Sequence, residues 1–184
     1  SPHDIVLAAS AERLERVVDR LSSAEVTVHR LVTSHAYHSV AMEPAAAAFV
    51  DSMRAAALRA PQLPMTSNLT GGWLTAAEAI DPERWGRQIR QTVRFADDLD
   101  LVLGRGSVIL VEVGPGRALT SAAKISASWD DSKHRGVLTL GPKSAPQDGD
   151  DLARCIGDLW ANGRAVASDV GAGAVRAINL PEIG

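Results

Sequence analysis

The run Ser107-Val108-Ile109-Leu110-Val111-Glu112-Val113 is the most continuously apolar stretch of this chain, and it leads directly into Gly114-Pro115-Gly116. A short β-branched run closed by turn residues reads as a strand buried on both faces, the place a strand takes in a mainly parallel sheet covered by helices. The surrounding signals agree. Downstream come a helix from roughly Ala118 to Ser126, a short strand from Gly136 to Leu140 and a helix from about Asp150 to Ala161. Upstream, Phe95 to Leu103 reads as a helix closed by Gly104 and Gly106, and Asp81-Pro82 caps another that carries Trp85 and Ile89. Pro44 opens a long helix through about Ala60, with Phe49, Met53 and Leu58 at expected buried positions, and Pro61 and Pro64 end it. Met65 to Thr70 reads as extended and Gly71-Gly72 as a turn. Near the start, Ile5 to Ala8 and the alternating Val26 to Val32 read as strands around an amphipathic helix, Ala11 to Leu21, capped by Ser10. Strands alternating with helices predict an α/β architecture.

The balance of charge narrows the partners. Nineteen Lys+Arg against 22 Asp+Glu leave a formal charge of −3, with no basic run and only four Trp, two Phe and one Tyr. The electrostatic footprint and stacking platforms of a nucleic-acid binder are missing. No apolar stretch approaches the ~18 residues of a membrane span, and the N-terminal residues lack the basic-then-apolar grammar of a signal peptide. The single cysteine, Cys155, has no internal partner for a disulfide, which suits a reducing, cytoplasmic compartment. The 184 residues suffice for one domain with a full core. The polar stretch from Lys143 to Asp150 and the tail from Ser168 read as linker.

Among five histidines, His35 and His38 share the loop Ser34-His35-Ala36-Tyr37-His38-Ser39 that leaves the second strand. A histidine at a strand exit, with a neighbour that fixes its tautomer, can serve as a general base toward a hydroxyl or thiol. The competing readings are two exposed loop residues or a metal pair. His-x-x-His with Glu43 downstream departs from the spacing that sets two imidazoles on one helix face, so no metal site is expected. The turn Glu112-Val113-Gly114-Pro115-Gly116 resembles the first motif of nucleotide-fold methyltransferases and could present backbone N–H groups to an anion, or it is simply a tight strand-to-helix turn. Gly-x-Ser-x-Gly, the elbow that exposes a nucleophilic serine, does not occur in these residues.

Taken in order, Ser34-His35-Ala36-Tyr37-His38-Ser39 with Met42-Glu43-Pro44, Ser67-Asn68-Leu69-Thr70-Gly71, Asp81-Pro82 with Trp85, Gln91-Thr92-Val93-Arg94-Phe95-Ala96-Asp97 and Val111 to Gly116 resemble the C-terminal half of an acyltransferase domain of modular type I polyketide synthases, related to malonyl-CoA:acyl carrier protein transacylases. The resemblance covers about residues 1 to 125. It implies an α/β-hydrolase-like large subdomain, here its C-terminal part at 33–142, preceded at 1–32 by the last strand-helix-strand of a ferredoxin-like small subdomain. Residues 143–184 are similar to the linker that follows such acyltransferases.

The resemblance also implies a chemistry. A serine attacks the thioester of malonyl-CoA, and the acyl group passes to the phosphopantetheine thiol of an acyl carrier protein. His38 matches the histidine base. Gln88 matches the position whose backbone carbonyl orients that base, so its side chain is expected to matter little. His35-Ala36-Tyr37 precede the histidine in the tetrapeptide associated with extender choice, and bulky Tyr37 favours malonyl over methylmalonyl. No permanently bound cofactor is implied. The expected partners are the carrier protein, a ketosynthase domain and the N-terminal half of the acyltransferase, which would supply the serine, the oxyanion-hole glutamine and the carboxylate-gripping arginine. This chain alone is therefore expected to be inactive. The alternatives are a methyltransferase that binds an adenosyl cofactor at Glu112 to Gly116, and a non-catalytic docking module that uses the tail.

Overall fold

The computed structural model describes residues 5–115, 117–140 and 148–164. They fall into two compact units, Ser1–Gly104 and Arg105–Gly184.

The first unit begins with α1 (Ala11–Ser23), whose Leu14, Val17, Val18 and Leu21 are only half-buried. Arg30 returns to this helix and donates to both Glu15 carboxylate oxygens, at 2.7 and 2.6 Å. The strands expected on either side, Ile5 to Ala8 and Val26 to Val32, are not strands: neither joins a ladder, and Ile5 and Val32 are open to solvent. Only the helix of the expected strand-helix-strand forms. A β-branched segment gains most of its stability from cross-strand neighbours, whereas helical hydrogen bonds close locally.

A 3-10 turn (Val40–Met42) leads into α2 (Glu43–Ala55), which carries Pro44 in its first turn. The helix stops five residues short of the expected end: Ala56 already has ψ 143°. Ala-rich propensity alone does not hold a helix in water, and α2 persists along the face packed on α4 (Pro82–Arg90). That packing needs glycine at position 86, where a Cβ would overlap Val50 Cγ2 and stand 3.3 Å from the Ala46 carbonyl. Val50 is buried there, while Phe49, an expected core position, is exposed.

Between these helices, β1 (Thr66–Ser67) pairs antiparallel with β2 (Gly72–Trp73) across the expected turn, and α3 (Ala76–Ala79) starts at a reciprocal Thr75–Glu78 capping box. Asp81 accepts from the Glu83 N–H at 2.9 Å to cap α4, as its sequence predicts. Finally α5 (Phe95–Leu103) buries Leu99 and Leu103.

In the second unit, β3 (Val108–Pro115) and β4 (His134–Leu140) run parallel, with Val108 opposite His134 and Glu112 opposite Leu138. Parallel neighbours need a crossover, and α6 (Ala118–Lys124) lies on it. The helix α7 (Asp148–Ala161) packs against β4 and buries Cys155. The apolar run is a strand, but it is not covered on both faces: Val111 and Val113 are exposed, while Glu112 on the opposite face meets α6. Most of the expected linker from Lys143 to Asp150, and the tail from Ser168, lie outside the described residues.

Candidate active site

His38 sits in a loop braced from both sides. Ser39 Oγ donates to the Ala36 carbonyl at 2.7 Å and accepts from the Ala41 N–H at 3.3 Å, so the turn closes on itself and caps the 3-10 segment. His38 itself has φ +60°, a left-handed conformation that few residues without a glycine backbone adopt. Its N–H donates to the Ile89 carbonyl at 3.3 Å, and its ring Nδ1 lies 2.9 Å from the Gln91 carbonyl oxygen. A carbonyl only accepts, so Nδ1 carries the proton and the lone pair of the neutral ring is on Nε2. Arg90 Nε bonds to Glu43 Oε1 at 3.2 Å, tying the end of α4 to the start of α2 beside this loop.

The carbonyl at His38 comes from Gln91, three residues beyond the Gln88 expected from sequence. Gln88 lies inside α4, where carbonyls align with the helix axis. Gln91 is the first residue to leave helical dihedrals, with ψ 163°, and this turns its oxygen out toward the imidazole. Gln88 was expected from the family resemblance, and matching a motif does not say which carbonyl near a helix end turns away from the axis.

His35 does not orient His38. Its Nδ1 is 2.8 Å from Ser34 Oγ, which in turn lies 3.4 Å from the Tyr37 hydroxyl, and the His35 and Tyr37 rings are tilted at 56° with centroids 5.9 Å apart. Ser34, His35 and Tyr37 thus form a small polar cluster on the exposed side of the loop, with Ala36 half-buried beneath. Among the described residues, no group of three or more His, Cys, Asp or Glu side chains is placed to hold a metal ion. No helix among them is long and apolar enough to cross a membrane.

Behind the Gln91 segment lies a buried polar layer that sequence reasoning missed. Arg84, only 2% exposed, donates from Nη2 to Ser67 Oγ at 2.6 Å, and its guanidinium sits 4.4 Å from the Trp85 ring centroid. Burial lowers its pKa. Asp98, 4% exposed, accepts from Asn68 Nδ2 at 2.6 Å, and burial raises its carboxyl above the usual range. The available signal was the density of polar residues in Ser67-Asn68 and Arg94 to Asp98, flanked by apolar neighbours.

The helix that follows the glycine turn after β3 is already capped by the chain itself. Glu112 accepts from the Leu119 N–H at 3.0 Å and the Thr120 N–H at 2.9 Å, so it caps two amides in the first turn of α6; Gly116 lies outside the described residues. Burial would raise the Glu112 carboxyl, but the Thr120 side chain together with these N–H bonds outweighs it and holds it below its ordinary value. An anion at the N-terminus of α6 would compete with this internal cap for those two amides.

Residues 1–150 match the family described as the acyl transferase domain. Over 163 residues the chain is 39% identical to one of the phenolphthiocerol/phthiocerol polyketide synthase proteins of Mycobacterium tuberculosis, covering 88% of this chain and 11% of that protein. Among solved structures, it is similar to the acyl transferase domain of SpnD in complex with 2-(pent-4-yn-1-yl)malonyl, with a TM-score of 0.76 and 35% identity over 83% of this chain and 37% of that one. It is also similar to the acyltransferase domain from the second module of the salinomycin polyketide synthase, at a TM-score of 0.73 and 32% identity over 85% of this chain and 35% of that one.

Proposed function

The chain belongs to the acyl transferase domain family, of the polyketide synthase and malonyl-CoA:acyl carrier protein transacylase type, and from that premise we propose that it carries the general base of an extender-unit transfer, His38. The observation that supports this most directly is the 2.9 Å bond from His38 Nδ1 to the Gln91 carbonyl, which leaves Nε2 free to accept a proton.

In this reading Nε2 removes the proton of a serine hydroxyl as the serine oxygen attacks the thioester carbonyl. The C–S bond breaks, and the imidazolium returns its proton to the departing coenzyme A thiolate. In the second half-reaction Nε2 takes the proton of the phosphopantetheine thiol, which attacks the acyl-serine; the serine oxygen leaves and recovers that proton. One neutral imidazole serves both halves, and the Gln91 carbonyl takes the orienting place that a carboxylate holds in other triads. The serine is supplied by the part of the acyltransferase that this chain does not contain, together with the oxyanion hole and the carboxylate-binding arginine. The transfer is therefore read in the complete acyltransferase, with a carrier protein as acceptor. Tyr37, joined to Ser34 and exposed on the His38 loop, favours malonyl over bulkier extenders.

The test uses the complete acyltransferase. His38→Ala should lower transfer from malonyl-CoA to the carrier protein by at least about a thousandfold, with folding intact by circular dichroism. A variant within tenfold of the parent would sink the reading. Competition between malonyl-CoA and methylmalonyl-CoA decides the extender, and a preference for the methylated unit would overturn the assignment of Tyr37. A discrimination of ~1–3 kcal/mol is the scale such a pocket can deliver.

A further inference from the structure

We propose that Arg94 is a positioning residue for His38, acting through the main chain of Gln91. This rests on the reading of His38 as the base. What meets the imidazole is a backbone oxygen, so the placement of that oxygen depends on whatever fixes the segment Gln91–Arg94. This segment connects α4 to α5 and belongs to neither helix nor strand. Its first residue is held by the Gln91 N–H donating to the Arg87 carbonyl at 2.8 Å.

Its last residue is held four ways. The Arg94 N–H donates to the Asn68 carbonyl at 2.7 Å, and the Arg94 carbonyl accepts from the Asp98 N–H at 3.1 Å. From the side chain, Nη1 donates to the Thr70 carbonyl at 2.8 Å and Nε to Asp97 Oδ2 at 2.7 Å. Asn68 is itself held by Asp98 through the 2.6 Å amide-to-carboxylate bond. The fork therefore bonds a main-chain oxygen and a carboxylate at once, which a single ammonium on a flexible stem does not reproduce.

Gly71 makes this approach possible. It has φ +68°, and a Cβ there would stand 2.6 Å from Asp97 Cβ and 3.2 Å from Arg94 Nε. The Arg94–Asp97 pair is half exposed, and a pair so exposed adds little to stability. The effect of Arg94 lies in geometry: its N–H bond to Asn68 and its Nη1 bond to Thr70 pin the Gln91 segment to the turn between β1 and β2, so that the carbonyl stays in register with the His38 ring.

Two readouts in the complete acyltransferase test this. The ¹⁵N shifts of the His38 imidazole report its tautomer, and steady-state kinetics with malonyl-CoA separate kcat from KM. Arg94→Met and Gly71→Ala disturb the same anchor from opposite sides. Both should populate the Nε2–H tautomer and lower kcat by about tenfold or more with KM within about twofold. Arg94→Lys keeps the charge without the fork and should behave like Arg94→Met; it also carries the test if Arg94→Met fails to fold. Arg54→Ala removes bonds to Asp51 and Glu83 elsewhere on the same helix pair and should leave the tautomer and kcat unchanged. The proposal is overturned if the Nδ1–H form stays dominant in the Arg94 variants, or if Arg54→Ala shifts it equally. The tautomer is read without turnover, so an active His38→Ala enzyme would remove the base reading while leaving this coupling intact.

Discussion

The ring of His38 donates to the carbonyl of Gln91, 53 residues further along the chain, at 2.9 Å. The His38 N–H reaches Ile89 at 3.3 Å, so the C-terminal end of α4 grips both the backbone and the side chain of one histidine. Two such bonds hold its left-handed backbone conformation in place, as strained residues at functional sites require.

Because Gln91 contributes a backbone atom, its side chain should be dispensable. Gln91→Ala and Gln88→Ala are each expected to keep kcat within about threefold of the parent. Gln91→Pro removes the N–H that bonds Arg87 and disfavours the helical conformation of Arg90. It should lower kcat by at least about tenfold. Equal, severe losses in Gln91→Ala and Gln91→Pro would mean that the side chain itself participates.

The contact between α2 and α4 should resist any added atom. Gly86→Ala places a methyl against Val50 Cγ2 and should cost about 1–3 kcal/mol in urea unfolding. Val50→Ala in the Gly86→Ala background should be more stable than the sum of the two single losses by at least ~0.5 kcal/mol. Strict additivity would show that the two positions do not compete for space.

Burial of Asp98 gives stability a dependence on pH. Its folded-state carboxyl is raised, so the fold favours the protonated form. Its contribution is fully present below the ordinary aspartate value of about 4 and is lost as pH rises through the raised one. Asp98→Asn keeps an acceptor for Asn68 and should gain on the parent progressively above that pH. Urea titrations from acidic to neutral pH measure this, and parallel curves for the two proteins would contradict it.

Glu112 has the opposite sign. Burial pushes its carboxyl up, but the Thr120 side chain and the bonds from the Thr120 and Leu119 N–H groups outweigh it and leave it lowered, so its contribution is present above the ordinary glutamate value of about 4.3 and is lost as pH falls through the lowered one. Glu112→Ala should cost about 1–2 kcal/mol at neutral pH, the scale of a helix cap, and progressively less in acid. With those amides occupied, S-adenosylmethionine should not raise the melting temperature of the parent protein. A clear rise would revive the methyltransferase reading.

Most of the helices were legible because their signals are local, although the short α3 behind its Thr75–Glu78 capping box was not read. Asp81-Pro82 marks the start of α4, Gly104 the end of α5, and the periodic leucines and valines the span of α1. The blocks around His38, Asn68, Arg94 and Glu112 carried the family from their order along the chain, and the match over residues 1–150 agrees. Pairing was less legible. Ile5 to Ala8 and Val26 to Val32 have strand composition but no ladder, and Val111 and Val113 have core composition but face solvent.

By itself, then, the sequence determined where helices start, which residue is a candidate base and which family the chain joins, since these depend on neighbours a few positions apart or on motif order. Only the tertiary structure decided that Gln91 and not Gln88 meets His38, that Arg94 bonds the turn between β1 and β2, and that Glu112 of β3 caps the first turn of α6. Each depends on where a carbonyl or guanidinium points after the chain has turned, and a bond across 53 residues leaves no period to read.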